Sequence, residues 1–229
     1  MSFQTRYDRV QNALQLALQQ AGRREGEVRL IAVSKTVGVP EVREAFACGQ
    51  HDFGENRIEL LQEKVAALPE ATWHFIGNVQ SRKIAGIVSC SHLIHSVYQE
   101  SHVGKVDAAA KACGKVQDIL LEVNVSGEAS KSGLAPQELP AMLQHCQDFD
   151  HVRVCGLMTM APAGDLLAAE RSFEGLRKLL EHTSCELDTQ RRAAYSQLSM
   201  GMSDDWPQAV AQGATMVRIG RALFSKEFD

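Results

Sequence analysis

A chain of 229 residues with 45% hydrophobic and 6% aromatic side chains can bury a substantial core, enough for one barrel or two small domains. A formal net charge of −4 and the lack of any basic run argue against a nucleic-acid partner, and no stretch approaches the ~18 consecutive apolar residues of a membrane span. The opening MSFQTRYDRVQNALQ is polar and of mixed charge, unlike a secretory leader, so a cytoplasmic protein that touches no membrane is expected.

Taken in chain order, the first expected element is a helix over residues 3 to 21, with Val10, Leu14 and Leu16 among its apolar positions. Val28-Arg-Leu-Ile-Ala-Val33 reads as the first strand, and a helix follows from Pro40, a residue the first helical turn tolerates. A short second strand near Asp52-Phe53 runs into Gly54-Glu55-Asn56 and a helix to about Leu68. Trp73-His-Phe-Ile76 is the third strand and Leu93-Ile94-His95 the fourth. The fifth lies within residues 116 to 125, where Ile119-Leu-Leu-Glu-Val123 is apolar on both faces, as parallel strands buried on both sides are. Val152-Arg-Val-Cys-Gly-Leu157, Gln197-Leu-Ser199 and Met216-Val-Arg-Ile219 complete a set of eight.

Strands that alternate with helical segments over short connections predict a closed (β/α)8 TIM barrel with an extra N-terminal helix, one domain over residues 1 to 229. Cys48, Cys90, Cys113, Cys146, Cys155 and Cys185 are scattered and never form Cys-x-x-Cys, so they read as thiols in a reducing compartment. No exposed apolar seam is evident, and a monomer is expected.

In a parallel barrel all strands end at one mouth, where ligands bind. The strand ends here supply Ser34-Lys35, Gly54-Glu55-Asn56, Gly77-Asn78, Ser96, Asn124, Met158-Thr159, Ser199-Met200-Gly201-Met202-Ser203 and Arg218-Ile219-Gly220. Lys35 follows a buried strand, where desolvation can turn a lysine into a nucleophile; the plainer reading is an ion-paired or snorkelling side chain. The turns after strands seven and eight are where barrels often hold a phosphate, on backbone N–H groups and glycines that admit close approach, although such turns also serve as ordinary turns. Arg218 suits either a pyridine nitrogen or a structural salt bridge.

Several signals point nowhere. His92 and His95, three apart in a strand, are expected on opposite faces, and no ligand set for a metal is present. His74 could line the mouth or pack in the core. Residues 127 to 133, Gly-Glu-Ala-Ser-Lys-Ser-Gly, read as a solvated loop after strand five.

The ordered set Leu30-Ile-Ala-Val-Ser-Lys35, Phe53-Gly-Glu-Asn-Arg57, Trp73-His-Phe-Ile-Gly77, Glu122-Val-Asn-Val125, Lys131-Ser-Gly133, Gly156-Leu-Met158, Leu198-Ser-Met-Gly-Met-Ser203 and Val217-Arg-Ile-Gly220 resembles the pyridoxal phosphate homeostasis proteins over nearly the whole chain. That resemblance implies a barrel like the alanine racemase N-terminal domain, the fold type III of pyridoxal 5′-phosphate (PLP) proteins, with PLP as an internal aldimine on Lys35. It also implies phosphate contacts from Ser199, Gly201 and Gly220 with Met200 and Ile219 in the same turns, Arg218 at the ring nitrogen, and Asn56 and Met158 nearby. Arg221 stands where a small hydroxyl residue is frequent; Asn78, Val79, Arg82 and Ser225 also depart from the pattern.

The implied role is intracellular carrying and buffering of vitamin B6, with PLP-dependent apoenzymes as recipients and no established turnover. Racemases of this type take a second acid–base group, a tyrosine, from an added β-domain of a partner subunit. The sequence runs only to Asp229 after the eighth unit, and Tyr7, Tyr98 and Tyr195 fall at no obvious strand end, so weak or no catalysis is expected. The alternatives are a PLP-dependent racemase or lyase acting on a small amino acid, a cofactor-free aldolase using Lys35 with Glu55 as acid or base, and a regulatory protein that uses the cofactor as a sensor.

Overall fold

The computed structural model describes residues 2–225. Eight strands form the wall: β1 (Arg29–Val33), β2 (Asp52–Glu55), β3 (Thr72–Phe75), β4 (Leu93–Val97), β5 (Gln117–Glu122), β6 (Val152–Met158), β7 (Gln197–Ser199) and β8 (Met216–Ile219). Each pairs in parallel with the next, and β1 pairs with β8, so the sheet closes on itself. The helices are α1 (Phe3–Gln20), α2 (Val39–Ala47), α3 (Ile58–Ala67), α4 (Ile84–Cys90), α5 (Glu100–Ala112), α6 (Leu139–Cys146), α7 (Leu166–Ser184), α8 (Thr189–Ala194), α9 (Trp206–Ala211) and α10 (Arg221–Phe224).

Two buried layers follow from the alternation of side chains across each strand. Ile31, Leu93, Leu120, Cys155, Met158 and Met216 fill the inside of the barrel, whereas Leu30, Ala32, Phe53, Trp73, Phe75, Ile94 and Ile119 face the helices. Register carries the inner set around the wall: Ile31 lies beside Arg218, Gly54 beside His74, His74 beside Leu93, and Met158 beside Ser199.

The N-terminal helix has a structural task. Ser2 caps it by accepting the Thr5 N–H at 3.2 Å, and Phe3, Val10, Leu14 and Leu18 make one buried face. The last helix, α10, has only four residues, so α1 packs against α9, α10 and α2 and completes the outer ring. Arg6 Nε donates to Leu223 O at 2.8 Å, and the Phe3 and Phe224 rings lie 5.4 Å apart. Burying each such apolar side chain contributes roughly 1.5–3 kcal/mol, which stabilises a helix that would be marginal alone.

The structure adds detail that periodicity does not give. α8 is a helix between α7 and β7 with no buried residue. Its polar sequence carries no apolar stripe; Asp188 caps it through the Arg191 N–H, and Arg192 donates to the carbonyls of Ser184, Cys185 and Leu187. β2 runs on through Glu55, beyond the short Asp52-Phe53 segment. All six cysteines are free, and burial pushes the thiols of Cys146 and Cys155 up to about 12. No helix among the described residues is long and apolar enough to cross a membrane.

Candidate functional site

At the end of β1, Lys35 opens a turn into solvent, and what fixes the turn is a buried ion pair behind it. Lys64 of α3 and Glu55 of β2 are 1% and 0% exposed and in direct contact. Lys64 Nζ also donates to Ser34 O at 2.8 Å, and Ser34 Oγ donates to Glu55 Oε1 at 2.9 Å. The other carboxylate oxygen accepts the Asn56 N–H at 3.2 Å, so Lys35 and Asn56 are mounted on one charged cluster. Gly77 presses the end of β3 onto the same strand: a Cβ there would lie 2.2 Å from Asn56 O. Glu55 is adjacent to Phe75 in the register, on the helix-facing side, and bound to Lys64. That position withdraws it from the acid–base role an aldolase would ask of it.

Arg218 lies inside the barrel, one strand from Lys35. Its Nη1 donates to Ser199 Oγ at 2.6 Å and its Nη2 to Thr159 O at 3.0 Å. Both partners are neutral, and among the described residues no carboxylate pairs with it. Burial lowers its pKa to about 10, against the attraction of Glu122 and Asp205, and leaves a cation at neutral pH. The salt-bridge reading of Arg218 therefore has no partner here. Glu122, at the end of β5, is buried and raised by desolvation to about 7, with Arg218 pulling the other way.

Register separates the remaining candidates. Met158 is buried inside the barrel beside Glu122 and Ser199. Ser199 also points inward, where its hydroxyl lies 2.8 Å from His95 Nδ1 as well as bonding Arg218. Met200 and Ile219 bury their side chains in the helix-facing layer, so only their main chain can serve the mouth. Gly201 takes φ +91°, a conformation side chains rarely adopt, and its carbonyl accepts the Arg218 N–H at 3.0 Å. Gly220 has an ordinary backbone, but a Cβ there would sit 3.1 Å from Val33 O, so β8 closes tightly on the strand that carries Lys35. Arg221 forms an ion pair with Asp204 and ties the two glycine turns together.

Around the rim, Asn124 organises the loop after β5. Its side-chain amide donates to Glu128 O at 2.9 Å and Lys131 O at 3.3 Å, while Lys131 Nζ reaches Met160 O at 3.1 Å. Residues 127–130 are exposed, as expected of a solvated loop, and Lys131 pins the loop across the end of β6. Tyr98 does follow a strand end, that of β4, and donates to Asn78 Oδ1 at 3.2 Å. Tyr195 is buried at the start of β7, away from the mouth, with its hydroxyl 3.1 Å from Thr183 Oγ1. His92 and His95 do not diverge: their rings lie 6.2 and 5.2 Å from that of His74, because His92 precedes β4 and escapes its alternation. Among the described residues no group of three metal-ligating side chains forms.

A cavity of about 400 Å³ lies elsewhere, lined by Leu143, Phe149, Val152, Arg153, Leu187 and Tyr195 around the start of β6. Cys146, Asp150, Asp188 and Arg191 also line it, but its arginines are already paired, Arg153 with Asp118 and Arg191 with Asp188, and it lies away from the strand C-terminal ends, so the mouth remains the candidate site. The donor set there fits an anionic aldehyde bearing a ring nitrogen: a primary amine, a buried cation whose hydrogen-bond partners are neutral, and two glycine-containing turns beside it.

Comparison with known proteins identifies the family. The family model described as alanine racemase, N-terminal domain, matches residues 7–227. The pyridoxal phosphate homeostasis protein of Pseudomonas aeruginosa is 42% identical over 211 residues, covering 91% of this chain and 88% of its own. A solved protein of Bifidobacterium adolescentis, described as unknown, superposes with a TM-score of 0.91 at 33% identity, covering 97% of this chain and 94% of the other. PipY of Synechococcus elongatus, solved with PLP bound, gives 0.82 at 32% identity, covering 98% and 100%.

Proposed function

Because the chain belongs to the pyridoxal phosphate homeostasis proteins, built on the alanine racemase N-terminal domain, we propose that it binds PLP at the barrel mouth and carries or buffers it for other proteins. When bound, the cofactor supplies an aldehyde and an electron-withdrawing ring. Lys35 would hold the aldehyde as a Schiff base, Arg218 would donate to the ring nitrogen, and the backbone of the Gly201 and Gly220 turns would meet the phosphate. Ser199, Met200 and Ile219 belong to the same turns, and Asn56 and Met158 would lie near the ring. The whole chain acts as one domain in this reading.

The observation that carries the reading is Arg218: a buried cation with only neutral partners, beside the strand that presents Lys35. The same residue argues for holding over turnover. A guanidinium at the ring nitrogen leaves the ring a weaker electron sink than a carboxylate would. Tyr195 is buried away from the mouth, which removes one candidate for a second acid–base group. Tyr98, on the rim, is the feature that favours the racemase or lyase alternative. We place the protein in the cytoplasm as a monomer that passes PLP to apoenzymes; Met160 and Met202, partly exposed on mouth loops, give a recipient apolar surface to meet.

The test is the absorbance spectrum of the purified protein and of Lys35→Ala with added PLP, before and after borohydride. A yellow band in the wild type, lost on reduction and absent in the variant, is the expected result. Amino-acid turnover in the same preparations should stay at background. A colourless wild type would overturn PLP binding, and brisk racemisation abolished in Lys35→Ala would move the protein to the enzymes.

A further inference from the structure

A line of hydrogen bonds crosses the inside of the barrel from the face opposite the mouth. Asp52, the first residue of β2, is 22% exposed there and lies 3.6 Å from Arg29 Nη1. Its Oδ1 is 3.0 Å from His74 Nε2, and His74 Nδ1 is 3.0 Å from His95 Nε2. His95 Nδ1 is then 2.8 Å from Ser199 Oγ, on which Arg218 Nη1 also converges. His74, His95 and Ser199 are fully buried.

With both buried imidazoles neutral, the Asp52 end fixes the direction of every link. A carboxylate only accepts and a guanidinium only donates. His74 Nε2–H therefore donates to Asp52, which leaves its Nδ1 to accept from His95 Nε2–H. His95 Nδ1 must then accept the hydrogen of Ser199, whose oxygen accepts from Arg218. Both imidazoles are neutral in this arrangement, consistent with burial, which lowers the pKa of each. Thr159 O holds a second nitrogen of Arg218, so the guanidinium plane is clamped from two sides.

We propose that Asp52, His74 and His95 are positioning residues for the cofactor ring: through Ser199 they set the orientation of Arg218 without touching the ligand. The inference rests on the PLP reading above. Its chemical content is that Ser199 spends its one hydrogen on His95 and meets Arg218 purely as an acceptor. The clamped guanidinium has only donors to offer the mouth, so a ring nitrogen facing it must accept and stays unprotonated. Without His95 the hydroxyl is free to rotate, and Arg218 loses a fixed acceptor.

NMR of the full chain with isotope-labelled histidine, before and after adding PLP, reads the line directly. Both His74 and His95 are expected as neutral Nε2–H tautomers; an Nδ1–H tautomer or an imidazolium at either would overturn the assignment. PLP titration of His95→Leu should show a dissociation constant raised about tenfold or more and a shifted absorbance band. His95→Gln, which keeps a donor and an acceptor, should recover part of both. A folded His95→Leu with wild-type affinity and band would overturn the positioning role. Should that variant not fold, Ser199→Ala breaks the same link and is read in the same way. A wild type that takes up no PLP would instead overturn the function reading, and the proposal with it, whatever the tautomers.

Discussion

Lys64→Met is expected to destabilise the fold by about 3–5 kcal/mol, because it leaves Glu55 as a buried charge without its partner. The pair itself need not stabilise strongly, since taking two charges out of water offsets most of their attraction. Lys64→Met combined with Glu55→Gln should therefore lie within about 1–2 kcal/mol of the wild type, with glutamine still able to meet Ser34 and Asn56. Urea unfolding of the wild type, both single variants and the double gives the coupling energy. Equal losses in the single and double variants would refute the account. The double variant should regain stability without regaining function: Ser34 O keeps the Val37 N–H but loses Lys64, so the turn that carries Lys35 is held less firmly and PLP retention should fall in both.

Glu122→Gln is the second substitution with a large expected effect, and it shows as a change in pH dependence. The unfolded chain gives up the Glu122 proton near its ordinary value of 4.5, whereas the folded barrel keeps it to about 7. Between those values the folded state binds more protons, so this residue makes stability fall as pH rises and contributes a constant cost above pH 7. Removing the carboxylate removes that fall, a gain of ~3 kcal/mol over the wild type by pH 8 that vanishes near pH 4. His74 and His95 act in the opposite sense. Held neutral by burial, they lose stability as pH drops below about 6.5, where the unfolded chain takes up protons. Their effect is common to both proteins and cancels in the difference. Parallel stability curves for wild type and Glu122→Gln from pH 4 to 8 would rule the assignment out.

The barrel was legible because strands such as Leu30 to Val33 and Ile119 to Val123 are apolar on both faces and lie between well-marked helices. The strand ends then follow from topology, which is why Lys35, Asn56, Met158, Ser199, Gly201, Arg218 and Gly220 could be named together. Which way each side chain points was harder to read. When both faces of a strand are buried, apolar pattern cannot tell inside from outside. His74 between Trp73 and Phe75, and Met200 beside Ser199, are resolved only by register. A clue was available at β3, where two bulky aromatics alternate with a polar side chain. Lys64 left none: in a helix rich in Glu, Gln and Lys it looks like solvated surface, and only Glu55, nine residues earlier and in another element, makes it a core residue. Glu122 was visible at a strand end, but its raised pKa depends on how completely the barrel excludes water around it.

The clasp between α1 and α10 gives the molecule an order of assembly. Arg6 and Leu223 are 217 residues apart, so the contact that completes the outer ring joins two segments far apart in the order of synthesis. During translation α1 must wait, its apolar stripe of Phe3, Val10, Leu14 and Leu18 uncovered, until β8 and α10 have left the ribosome. Pairing of β1 with β8 has the same long reach, and contacts this distant in sequence slow folding. Polypeptides that terminate early would carry both an open sheet edge and a bare helix face, which makes them natural clients for chaperones and proteases.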